Sequence, residues 1–165
     1  MGKRPASSPR KSRAGKLRGA LYTIAQATWG FPQTLAGFTV FAKHAKRPHF
    51  RFHGAIVTTW ESRKALSLGL FLFMHGPAKS ADPSSEVDRA LLVHEYGHSV
   101  QSLLLGPAYL LCIGLPSVIW LNTPALRAMR RRAGTSYYAF YTERSANWLG
   151  ERALGEKSVG QAMID

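Results

Sequence analysis

Two histidines four residues apart, His94 and His98, stand in the run LLVHEYGHSVQ, with Glu95 directly after the first. No other feature constrains the fold as much. The run predicts a helix over roughly 85–105, with Pro83 in a first turn, Ser84 or Ser85 as cap and Gly106–Pro107 as the stop. On a helix, side chains four apart lie on one face about a turn from each other, so both imidazoles can reach one ion. Glu95 then points beside that ion, placed to take a proton from water as a catalytic base. Gly97 removes bulk between the histidines, and apolar Leu91, Leu92 and Val93 set this face against a core.

A catalytic zinc ion keeps three protein ligands and one open position, so a third ligand is required. The chain has one cysteine, Cys112, which excludes both an internal disulfide and a cysteine-based metal site. The remaining histidines (His44, His49, His53, His75) and the acidic residues are the candidates. Among them Glu143, in YTERSANWLG, stands out. It falls on a predicted final helix, roughly Ser136 to Leu154, ending near Gly155. Asn147, four residues on, shares its face, so one of the two can ligate while the other takes the N–H of a ligand histidine.

HEYGH followed by a distant E-x-x-A-N resembles the gluzincin metallopeptidases, which place HExxH on one helix and a ligand glutamate on a second. The resemblance implies a Zn2+ site at His94, His98 and Glu143, with Glu95 as general base. The gluzincin residue four after the glutamate is often Asp, bonded to a ligand histidine; here it is Asn147, a neutral acceptor. It also implies an α+β, minimal zincin-like domain: an active-site helix, a second ligand helix and a short β-hairpin, with apolar N-terminal helices. The chain is similar as well to a group of small bacterial proteins with no assigned substrate, in which TWGFPQ, HEYGHSVQSLLLGP, GLPS and FYTERSAN fall in this order. That similarity covers roughly residues 20–155.

The rest of the chain frames this site. Its 165 residues suffice for one compact domain, expected over 19–165. Residues 1–18 hold seven of the 22 Lys and Arg among Ser, Pro and Gly, and are expected to be a disordered basic tail. From Ala20 to Ala42 no residue is charged. The length fits a membrane span, but Gln26, Gly30, Pro32 and Gln33 break it into two short apolar helices, lying on a membrane or on the core. A cleaved signal peptide is a poor match, since the only Ala-x-Ala follows too short an apolar run. Residues 50–60 and Ala65 to Met74 read as two paired strands. The uncharged stretch 103–126 is punctuated by Gly106, Pro107, Gly114, Pro116 and Pro124, which argues against one regular spanning helix.

The expected function is zinc-dependent hydrolysis, of a peptide bond in a peptide or protein substrate laid along a strand edge at Ala65–Met74. Tyr138 or Tyr141 is the candidate to steady the oxyanion. The alternative is a membrane-associated binding or scaffold protein with a structural or vestigial metal site. The apolar stretches 20–42 and 103–126 imply association with a bacterial membrane; otherwise the chain is cytoplasmic. The net charge of +13, with a second cluster at Arg127, Arg130, Arg131 and Arg132, invites a nucleic-acid reading. No aromatic-interleaved basic strand or recognition motif supports it.

Overall fold

The computed structural model describes residues 13–160, and the expected tail over 1–12 lies outside the described residues. The architecture is α+β. Among the described residues there are six α-helices and one four-stranded sheet. Helix α1 is Arg13–Thr28 and α2 is Phe31–Lys43. Residues 13–18, expected to be disordered, form the first turns of α1, where Ala14, Lys16, Leu17 and Arg18 are good helix formers. Pro32 sits in the first turn of α2, where its missing N–H costs nothing.

The expectation of apolar N-terminal helices needs correcting. Neither helix is long and apolar: α1 takes in Arg13, Lys16 and Arg18, and its buried residues are Tyr22 and Gln26. No single helix among the described residues is long and apolar enough to cross a membrane.

The two expected strands each resolve further. Strands β1 (His49–Phe52) and β2 (Ala55–Trp60) form a hairpin across His53–Gly54, both with positive φ (47° and 99°), the backbone that a two-residue hairpin turn requires. Strands β3 (Leu66–Leu68) and β4 (Phe71–His75) form a second hairpin across Gly69–Leu70, with Gly69 at φ 61°. The hairpins join through a parallel pairing of β2 with β4, giving the order β1-β2-β4-β3. Strand β4 is therefore internal and β3 is an edge. This explains why Phe71, Leu72, Phe73 and Met74 are all buried, as a strand covered on both faces reads as a continuous apolar run.

Helix α3 (Arg89–Leu105) begins later than expected. Its cap is Asp88, whose side chain accepts from the Leu91 N–H at 3.0 Å, not Ser84 or Ser85. Those serines are engaged upstream: Asp82 Oδ1 accepts from the Ser84 N–H and hydroxyl, and the Ser85 hydroxyl donates to the Asp82 carbonyl. Beyond α3 the uncharged stretch breaks into a 3-10 turn (Gly106–Ala108), a π-helical turn (Leu110–Gly114) and α4 (Leu115–Asn122). Helix α5 (Pro124–Ala133) carries the second arginine cluster, and α6 is Tyr141–Leu154. Residues 137–139, expected in the final helix, form a separate 3-10 turn, because Phe140 is extended (ψ 149°). Gly155 ends α6 in the left-handed conformation at φ 70°.

Helices α3 and α6 cross at very close range. A Cβ on Gly97 would collide with the Ala146 carbonyl, and one on Gly150 with the Val93 carbonyl. Two glycines, one on each helix, thus set the distance between the elements that carry the site.

Candidate metal centre

The crossing brings His94 and His98 of α3 against Glu143 of α6, all three buried, with one ligand atom from each within 4.8 Å of the others. His94 Nε2 and His98 Nε2 both face Glu143 Oε2, at 3.2 and 3.1 Å. Donors bound tetrahedrally to zinc at about 2.0–2.1 Å lie about 3.3 Å from one another, so the spacing is that of ligands around one such ion.

The outer nitrogens have their own partners. His94 Nδ1 lies 2.8 Å from Asn147 Oδ1, and His98 Nδ1 lies 2.7 Å from Gln101 Oε1. The Gln101 amide has only one orientation here, because its Nε2 donates to the Thr142 carbonyl at 2.8 Å. An amide oxygen can only accept, so Nδ1 of each ring is the protonated nitrogen. Each Nε2 therefore points at the shared centre, where it either shares a proton with Glu143 Oε2 or, once unprotonated, offers its lone pair to an ion. The second oxygen of Glu143, Oε1, accepts from Ser117 Oγ at 2.5 Å and Thr142 Oγ1 at 2.9 Å. Every atom that turns away from the centre is hydrogen-bonded, and the atoms that converge are good zinc donors. The residues present fit the ion.

Charge follows the same geometry. Burial alone would raise the Glu143 carboxyl, but His98 and His94 outweigh it and hold Glu143 well below the usual carboxylate range. Burial likewise pulls His98 down, yet Glu143 beside it, with Glu95, leaves its imidazole raised to about 9. Glu95 is raised, chiefly by burial, with the two histidines opposing.

These groups line a cleft of about 530 Å³ whose walls are mainly apolar, including Leu66 and Leu68 of β3 and Leu115 and Val118 of α4. Glu95 lines it, as does Tyr138, whose ring meets His94 edge-on with centroids 5.1 Å apart. Tyr141 does not reach the site. It opens α6 facing outward, 48% exposed, and its hydroxyl donates to the Cys112 carbonyl at 2.7 Å. Of the expected substrate strand Ala65–Met74, only the β3 part is an edge; β4 is paired on both sides.

Five further residues belong to the site, Gln101, Thr142, Ser117, Tyr137 and Tyr109, of which Thr142 is the immediate neighbour of Glu143. Gln101 was detectable, since it lies three residues after His98 and so on the same helical face. Ser117 and Tyr137, whose hydroxyls are 2.8 Å apart, come from elements 26 and six residues away from Glu143, with no periodic signal to link them. Tyr109, buried and lining the cleft, was hidden in the uncharged stretch. No family model matches this chain, nor does any curated protein or solved structure.

Proposed function

We propose that the protein is a zinc-dependent hydrolase of the gluzincin kind, acting on peptide bonds. One observation carries the reading: two Nε2 atoms and a buried carboxylate oxygen converge, with both outer nitrogens held by amide oxygens, next to a carboxylate that is not needed as a ligand. A structural site has no use for that extra carboxylate. A zinc ion held by His94, His98 and Glu143 supplies Lewis acidity, polarising a substrate carbonyl and acidifying water.

The remaining work falls to the chain. Glu95 takes a proton from the attacking water and passes it to the leaving amine. Burial raises its proton affinity, which favours taking that proton. Asn147 and Gln101 keep the two imidazoles in one tautomer and orientation. Ser117 and Thr142 hold the Glu143 carboxylate from behind. The free edge of β3 offers backbone groups to an extended peptide, and the apolar cleft walls favour apolar side chains on it. Tyr138 is the oxyanion candidate that remains. Cleavage of a broad peptide library by zinc-loaded protein, lost in Glu95→Gln, tests the reading.

A further inference from the structure

Helices α1 and α2 pack Tyr22, Val40 and Phe41 against the core, but each also turns an apolar stripe outward and a glutamine inward. Along α1, Leu17, Leu21 and Ile24 repeat at i, i+4 and i+7 and are 57–62% exposed, while Gln26 is fully buried. Along α2, Phe31, Leu35 and Phe38 repeat in the same way and are exposed, while Gln33 is fully buried. The glutamines belong inside. Gln26 donates to the Ser99 carbonyl and hydroxyl at 2.9 Å, and Gln33 donates to the Ser102 hydroxyl at 2.7 Å and the Gly106 carbonyl at 3.1 Å. These bonds fix the rotation of both helices and so turn the apolar stripes outward.

A third stripe adjoins them. Trp29, at the corner between α1 and α2, packs over Gly106 where α3 ends. Next to that corner Leu104 is exposed, and Leu111, Leu115 and Ile119 repeat at every fourth position with their side chains outward. Contiguous apolar surface of this kind marks an interaction site, and its occupant is indicated by charge. No Asp or Glu occurs between residues 13 and 60 or between 96 and 142, the two segments that carry all three stripes. Those segments carry the exposed cations Arg13, Lys16, Arg18, Lys43, Arg127 and Arg131. Apolar stripes in segments that carry Lys and Arg and no Asp or Glu match an anionic lipid surface, with acyl chains for the stripes and headgroups for the cations.

We propose that this face of α1, α2 and residues 104–119 docks on an anionic bilayer, lying in its interface without crossing it. No single helix among the described residues is long and apolar enough to cross a membrane, and the one bent pair apolar enough in sum, Arg89–Ala108 with Leu110–Asn122, turns through 119° and includes the buried helix that carries His94 and His98. The proposal is independent of whether the metal centre is hydrolytic. It bears on the site, because Leu115 is both exposed on this face and part of the cleft wall, so the cleft shares a wall with the proposed lipid-facing surface.

The test is flotation of the full chain with phosphatidylcholine vesicles, with and without about one third phosphatidylglycerol. Binding is expected to the anionic vesicles, weaker to the neutral ones and weakened by salt. Leu21→Glu, Phe31→Glu and Leu111→Glu, three exposed positions on three separate segments outside the cleft, are each expected to lower binding about tenfold or more. Zinc content and melting temperature are expected to stay unchanged in them. Any variant that fails to fold leaves the other two to decide. The proposal is overturned if the wild type floats with neither vesicle, or if the folded variants bind as before. It is also overturned if the wild type forms a lipid-independent dimer that these substitutions dissolve, which would assign the face to a second copy.

Discussion

Gly97 of α3 lies so close to the Ala146 carbonyl of α6 that there is no room for a methyl group between them. The metal ligands sit on either side of this contact, His94 and His98 on one helix and Glu143 on the other. Because the obstructing atom is backbone, a larger residue can be accommodated only by moving the helices apart. Gly97→Ala is expected to cost about 3 kcal/mol, at the upper end for overpacking, and to lower the melting temperature by roughly 6–12 °C. Zinc affinity is expected to fall with it, since the separation of α3 and α6 is also the separation of the ligands. Thermal unfolding and zinc titration of the same variant check both.

Asn147 tests whether the outer hydrogen bond matters. Removing it in Asn147→Ala frees the His94 ring and its tautomer, and is expected to weaken zinc binding roughly 10–100-fold with the fold intact. Asn147→Asp keeps an acceptor at the same place and adds charge, so it is expected to bind zinc at least as tightly as the wild type. Competition against a chromophoric chelator measures the series. Equal affinity in all three would show that Asn147 does not orient the ligand.

Glu95 separates binding from chemistry. Gln has nearly the shape of Glu but cannot take a proton, so Glu95→Gln is expected to keep zinc and fold while losing about 10²–10⁴ in hydrolysis. The assay is single-turnover cleavage of whichever library peptide the wild type cuts in a zinc-dependent way. Wild-type rates in the variant would rule out Glu95 as the base.

Most of the local structure was legible in the sequence, and the misses have a common cause. The active-site helix was readable because His94, Glu95 and His98 lie within five residues of an apolar run. The α6 face was readable from the four-residue spacing of Glu143 and Asn147. The capping residue was not, because Ser84, Ser85 and Asp88 are all good caps and the choice turned on Asp82 occupying the serines. The parallel pairing of β2 with β4 and the edge position of β3 depend on contacts between hairpins, which no local pattern encodes. The outward rotation of the apolar stripes on α1 and α2 was hidden for the same reason. It depends on Ser99 and Ser102, about 70 residues from the glutamines they bind.

The central claim is that His94, His98 and Glu143 together hold one zinc ion. Metal content by mass spectrometry, on wild type, His98→Ala and Glu143→Gln purified side by side and exposed to the same limiting zinc, tests it most directly. The expected result is about one zinc per wild-type chain, little or none in His98→Ala, and clearly reduced occupancy in Glu143→Gln, where a negative ligand becomes neutral. Wild-type protein that holds no zinc under these conditions, or variants that hold as much as the wild type, would contradict it.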